Sequence, residues 1–375
     1  MSHRYYPALD GLRGIAVGVV LLAHAGAPFP RSGGVGVDVF FTLSGFLITG
    51  LLLSEYDKHQ TISLRNFYIR RLLRLIPCLW LTTLFFLLTS WLLRGADEFW
   101  PLREAAFAVS YVMNWARAID IGGQGGLGHT WSLAIEEQYY LLWPVVIALM
   151  CRFIPSASRK GWILVAMAAM AMLHRGLMVG HSSPERIYFG LDTHADGLLI
   201  GSALACFVAA RDGQTHSPRV AIALRWLLTP AAIATLIGVM ILWTWEDRAM
   251  GYAGYSLCAI ASAIIIFDLA SGATKSFQFL TTTRPLVWLG KISYGLYLWH
   301  FPIYGLLGEL DFMWDWKRKL LLGGALTLLA SILSYNLVEK RFLKLKDRFV
   351  PKQPHRRQPV TNEALPVRDL GITTA

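Results

Sequence analysis

The chain is built from apolar blocks about twenty residues long, and that length constrains its fold more than any other feature. A helix rises about 1.5 Å per residue, so roughly twenty residues cross the ~30 Å hydrocarbon core of a bilayer. Residues 162–178, 227–243, 257–270 and 320–337 are such blocks. Of the 375 residues 55% are hydrophobic and only 16% are charged, where a soluble domain carries about a quarter charged. No fixed short period recurs, which argues against a solenoid or a porin-like barrel. The expected fold is an all-α integral membrane protein, with one membrane domain over residues 1–339 and a basic, disordered tail over 340–375. The first apolar run follows His3, Arg4, Asp10 and Arg13 without a clear cleavage site, so it reads as a retained span rather than a signal peptide.

Ten spans are expected, near 12–27, 36–54, 73–93, 133–151, 162–180, 191–210, 226–244, 252–270, 287–307 and 319–338. An even number puts both termini on one side, and the lysine and arginine bias makes that side cytoplasmic. With the termini inside, 24 basic residues fall in inner segments and 10 in outer ones; without the tail the split is 15 to 10. The net charge of +11 is thus mostly a topology signal, and no basic stripe in a soluble domain points to nucleic acid. Cys78, Cys151, Cys206 and Cys258 lie singly in or beside apolar blocks. Their spacing suggests neither a metal site nor a disulfide framework, and small core residues are the expected reading.

Ionisable side chains inside spans are costly and mark candidate sites. Arg13 and His24 share the first span. Eleven residues are about three turns, so both project from one face, about 16 Å apart along the axis. A snorkelling arginine and a histidine satisfied by a neighbouring helix fit equally. Asp38 lies near the outer end of the second span, where Ser44-Gly45 reads as a packing notch. Before the third span, Arg70, Arg71 and Arg74 stand at i,i+3 and i,i+4 spacing, so their guanidinium groups can converge on phosphate oxygens. On charge alone, an anchor on lipid phosphates is the simpler reading. Glu136 and Glu137 open the fourth span and point about 100° apart, so they cannot share one role. Asp192 and Asp196 lie on one face at the outer end of the sixth span. His300 precedes the kinking Pro302 in the ninth, where a freed carbonyl could satisfy it. Trp115 and Trp131 in the outer loop 94–132 suit either sugar stacking or an interfacial belt. Histidines and acids therefore gather in the outer half, and arginines at the inner mouth. That asymmetry suits an anionic donor from the cytoplasm and a polar acceptor from outside, with a histidine as general base.

These motifs resemble the acyltransferase-3 family of membrane O-acyltransferases from about Tyr6 to about Glu339. The carriers are Leu9-Asp10-Gly11-Leu12-Arg13-Gly14-Ile15-Ala16, with His24 after ten intervening residues; Gly36 to Ile48; Phe67 to Pro77; Trp131 to Tyr140; and Ile292 to Pro302. The resemblance implies transfer of an acyl group, commonly acetyl, from cytoplasmic acyl-CoA to a hydroxyl of an extracytoplasmic or lipid-linked carbohydrate, in the inner (cytoplasmic) membrane. It implies that Arg13 and His24 are the signature functional residues and that Arg71 and Arg74 meet coenzyme A phosphates. Many relatives carry a fused C-terminal hydrolase-like domain, and this chain is expected to act without one. Relatives commonly have an arginine where His194 stands here. His24 is the expected general base and Glu136 the group that orients it or relays protons. Asp38, Trp131, Asp192, Asp196 and His300 are the expected acceptor side. The expected partners are the bilayer, acyl-CoA and the carbohydrate; no metal is expected, and self-association stays open. Acylation of a glycosylated small molecule, or a transporter or flippase of glycan precursors, are the alternatives.

Overall fold

A computed structural model describes residues 5–95, 99–211, 217–310 and 315–349, with the backbone alone from 346 onward. Ten principal helices follow the apolar blocks: α1 (Pro7–His24), α2 (Gly34–His59), α3 (Leu64–Arg94), α4 (Gly128–Phe153), α5 (Ala157–Met178), α6 (Asp196–Ala210), α7 (Pro218–Leu242), α8 (Met250–Ser271), α9 (Ser293–Glu309) and α10 (Trp316–Leu345). Eight of them, all but α6 and α9, are long and apolar enough to cross a membrane. Apart from one isolated bridge between Val179 and Ser182, no β structure occurs among the described residues. The molecule is an all-α membrane protein. Polar residues set where the helices begin. The side chains of Ser63, Ser156, Ser217 and Asp315 accept from Asn66, Arg159, Val220 and Arg318 backbone N–H groups at the starts of α3, α5, α7 and α10, which satisfies donors a helix leaves open. Of the expected tail, Lys340–Phe349 is helical, and the remainder lies outside the described residues.

Two expected spans are interrupted. The block at 191–210 divides into a turn, Leu191–His194, and α6, with Ala195 between them. His194 and Asp196 bond to different helices, and the break lets each reach its own partner. The block at 287–307 divides at Ile292 into Arg284–Lys291 and α9. The first piece lies against the start of α1, where Gly290 meets the Asp10 carbonyl so closely that a Cβ would stand 1.8 Å from that oxygen.

Burial separates core helices from lipid-facing ones. In α2, 67% of the most apolar stretch is buried, against 22% in each of α5, α7 and α10. α2 is the central post, in contact with α1, α4, α6 and α8. Its closest partner is α6. A Cβ on Gly45 would stand 2.0 Å from the Leu198 carbonyl oxygen, and one on Gly201 would stand 2.0 Å from that of Thr42. Small residues on both sides let the two backbones meet, and Ser202 then donates to the Gly45 carbonyl at 3.1 Å.

The segment 99–127 folds back on the helices. It contains short helices Trp100–Val109 and Met113–Ala118. Gln138 of α4 ties it down: it accepts from Trp115 Nε1 at 3.2 Å and donates to the Tyr111 carbonyl at 2.7 Å and to Asn114 at 2.8 Å. Glu104 holds the glycine-rich strip by accepting from the N–H groups of Gly125 and Leu127. Burial pushes the Glu104 carboxyl above the usual range, while those two amides and Arg117 pull it back.

Replacing Gly201 with Val should separate α2 from α6, because the obstructing atoms are backbone. Overpacking of this kind costs ~3 kcal/mol, so the thermal midpoint of detergent-purified protein should fall sharply. An unchanged midpoint would refute the close α2–α6 contact.

Candidate active site

A cavity of about 830 Å³ opens among α1, α2, α3, α4 and α9. Arg13, Arg71 and Arg74 line it, together with Glu136, Ser44 and Tyr297. Arg71 is fixed from two sides: its Nη2 lies 3.2 Å from Glu137, and its guanidinium lies 3.6 Å over the Tyr140 ring, a stacked geometry that suits arginine rather than lysine. Its Nε is buried with no hydrogen-bond partner. Arg13 lies 3.8 Å from Asp10. Arg74 is exposed and makes no ion pair or hydrogen bond among the described residues. Glu136 accepts from the Ser44 hydroxyl at 2.6 Å. The two adjacent acids thus divide, Glu136 on the cavity wall and Glu137 locking Arg71. Asp10 and Glu137 offset Arg13 and Arg71, and the Arg71 Nε and Arg74 remain as spare donors for an anion on the cavity wall. Arg70 stands apart, 3.5 Å from Glu55.

His24 does not line this cavity. It stands beyond the cavity's Tyr297 wall in a cluster with His129 and His300. Ring centroids are 5.0 Å apart for His24 and His300, and 5.2 Å apart for His129 and His300. Carbonyl oxygens only accept, and this settles the neutral tautomers. His300 donates from Nδ1 to the Tyr297 carbonyl, so its Nε2 is an acceptor. His24 Nδ1 then carries the proton, shared between the Val20 carbonyl at 3.0 Å and His300 Nε2 at 3.2 Å. That leaves His24 Nε2 a lone pair with no protein partner among the described residues, the form a base needs. His129 donates from Nε2 to the Leu298 carbonyl at 3.2 Å, and its buried Nδ1 has no partner. Tyr297 joins cluster and cavity: its hydroxyl donates to the His129 carbonyl at 2.7 Å and lies 2.7 Å from Ser132. No group of three or more His, Cys, Asp or Glu side chains among the described residues is arranged to hold a metal ion.

The other acids form a separate buried network. Asp38 lies 2.8 Å from His194 Nε2, while His194 Nδ1 donates to the Tyr188 carbonyl at 2.7 Å. Asp196 pairs with Arg175 at 2.9 Å, both at most 1% exposed. Arg175 also donates to the Gly251 and Thr193 carbonyls and to Ser256. Trp131 is buried beside this network, stacked on His194 and packed on Tyr188 at 4.6 Å. Asp192 lies at the surface in a fork with Arg186, 3.0 and 2.7 Å.

The structure therefore brings Arg13, Arg71, Arg74 and Glu136 together, joins His24 to His300, and places Asp38, Asp196 and Trp131 in the neighbouring network. Sequence reasoning did not single out His129 or Arg175, and it took Ser44 only as part of a packing notch. An arginine inside an apolar block was a signal for Arg175; His129 lies outside the periodic stretch, and its meeting with the other two histidines has no local signature.

A family model described as an acyltransferase domain matches residues 6–336. The chain is similar to an O-acetyltransferase, OatA, of Staphylococcus aureus, with 35% identity over 314 residues, 80% of this chain and 51% of the relative. It is similar to a peptidoglycan O-acetyltransferase, OatA, of Listeria monocytogenes, with 33% identity over 315 residues, 80% of this chain and 50% of the relative. The chain spans about half the length of these curated relatives. No solved structure gives a significant match.

Arg175→Leu should cost ~3–5 kcal/mol, because Asp196 is left buried and unpaired. Changing both residues to apolar ones should recover much of that loss. Equal thermal midpoints for Arg175→Leu and wild type in detergent would show that the pair is not holding α5 to α6.

Proposed function

The chain belongs to the acyltransferase-3 family, and from that premise we propose that it is a membrane O-acetyltransferase: it moves an acetyl group from cytoplasmic acetyl-CoA to a hydroxyl of a cell-envelope glycan, the acceptor class named for its peptidoglycan-modifying relative. Both termini lie in the cytoplasm of a multi-pass inner-membrane protein, as the charge bias supports. The observation that carries the reading is that α1 and α9 serve two sites at once. Arg13 and Tyr297 line the arginine-bearing cavity, while His24 and His300, further along the same helices, form the histidine cluster.

Arg71 and Arg74 hold the donor's phosphates, with Arg13 deeper in the cavity. The orphaned Arg71 Nε and the unpaired Arg74 are the donors this needs, while Arg70 is held by Glu55. The ~16 Å between Arg13 and His24 along α1 suits an extended pantetheine arm. Glu136, fixed by Ser44, orients that arm. At the far end, His24 Nε2 takes the proton of the acceptor hydroxyl as its oxygen attacks the thioester carbonyl. The new ester C–O bond forms, the C–S bond breaks, and the proton passes to the departing thiolate to give free coenzyme A. His300 holds His24 in the required tautomer. Asp38, Asp196 and Trp131 act by fixing the outer halves of α2, α4 and α6, and Asp192 is offered to the acceptor at the surface.

Two variants test the halves separately. His24→Ala should lower transfer by about 10²–10⁴-fold, the range for a general base, with acetyl-CoA affinity and thermal midpoint unchanged. Arg74→Ala should weaken acetyl-CoA binding about tenfold, or ~1.4 kcal/mol, at no cost in stability because no partner is stranded. Full release of coenzyme A thiol by a folded His24→Ala protein, with an acceptor present, sinks the base assignment.

A further inference from the structure

A second polar cavity, of about 660 Å³, lies on the far side of the histidine cluster from the arginines. The last turns of α3, the second half of α9, Trp100 and the glycine strip enclose it. One wall is aromatic. Trp100 is half-buried and held edge-on by Phe86 at 5.9 Å. Gly125 and Gly126 lie flat on these two rings, since a Cβ would stand 2.4 Å from Trp100 and 2.8 Å from Phe86. The charged wall adjoins it, with the Arg94 guanidinium 4.9 Å over the Trp100 ring. Arg94 forks onto Glu309 at 2.6 and 3.3 Å, and the pair is 36% and 37% exposed. Each Glu309 oxygen keeps a further lone pair for a hydroxyl. Phe301 closes the inner end. Its ring stacks on His129 at 5.0 Å and meets His24 edge-on at 5.2 Å.

We propose that this cavity is the acceptor subsite and seats one pyranose unit of the glycan. The inference rests on the acyl-transfer reading above and assigns its second substrate a place. A sugar ring offers two chemistries at once. Its C–H face packs on an aromatic face, whose π electrons are negative, and its hydroxyls need charged partners of both kinds. Trp100 supplies the first, and Glu309 with Arg94 supplies the second. A lipid tail would strand that ion pair, and a phosphate would meet the Glu309 carboxylate that already occupies Arg94. Phe301, edge-on to His24, then sets how far the ring enters and which hydroxyl faces the histidine cluster, while the bulk of the glycan stays outside.

Gly305 makes the test clean. It lines the cavity, and a Cβ there meets nothing within 4 Å, so a larger side chain fills the cavity without disturbing the packing. Gly308 is equally open but does not line the cavity, which makes it the matched control. Cells producing wild type, Gly305→Leu or Gly308→Leu would be compared for base-released acetate, measured separately in the insoluble glycan and in the extractable lipid-linked sugar fraction. Acetyl-CoA binding would be measured on each purified protein. We expect Gly305→Leu to lower released acetate at least tenfold, acetyl-CoA affinity to stay within twofold, and Gly308→Leu to match wild type. The fraction that loses acetate identifies the source of the sugar. Normal acetate with folded Gly305→Leu overturns the subsite and leaves the acyl-transfer reading standing. Absence of base-labile acetate from wild-type cells overturns both.

Discussion

A charge inside hydrocarbon needs a partner, and that requirement orders this molecule. Arg175 with Asp196 joins α5 to α6. His194 with Asp38 joins the turn before α6 to α2. Arg71 with Glu137 joins α3 to α4. Each pair joins two different segments, so each is a cross-link between helices that apolar packing alone would leave free to slide. Against that background the unpaired groups stand out. Arg74, the Arg71 Nε and the free nitrogen of His24 lie in or next to the arginine-bearing cavity and the histidine cluster. In the proposed reading these are the groups that meet the two substrates.

The second constraint is the close approach of α2 and α6. It depends on glycines at 45 and 201, and it determines what adjacent side chains meet. Gly45 turns toward α6. Ser44, about 100° away around the helix, turns toward α4 and donates to Glu136. A single dipeptide therefore sets a helix contact on one face and a cavity wall on another. The packing role of Ser44-Gly45 was legible from its small residues; the bond to Glu136 was not, because its partner lies 92 residues away.

The outer segment shows how local sequence can mislead about exposure. Its tryptophans and glycines suggest a surface loop. Gln138, seven residues into the helix that starts at Trp131, instead draws Met113–Ala118 against α4, and Glu104 fixes the glycine strip by its backbone. Those contacts give the outer cavity a rigid wall. Trp131 is pulled inward to pack on His194, while Trp100 takes the place at the cavity.

By itself the sequence determined the class of fold and supplied the charge bias on which the proposed orientation rests. Apolar block length, basic-residue bias and the three-turn spacing of Arg13 and His24 are local or additive properties, and they need no knowledge of neighbours. The convergence of Arg71 and Arg74 on one wall was legible for the same reason, since helix periodicity alone brings them together. Tertiary structure decided the rest. Glu136 and Glu137 are chemically identical and adjacent, and only the position of α3 gives one to the cavity and the other to Arg71. His129 lies in the first turn of α4, before the apolar period begins, yet the packing of α9 brings His300 to it and to His24. The breaks at Ala195 and Ile292 fall inside runs whose hydropathy is continuous, because they answer to partners on other helices. Side-chain pairing across a membrane bundle is a property of helices meeting, and a single helix does not encode whom it meets.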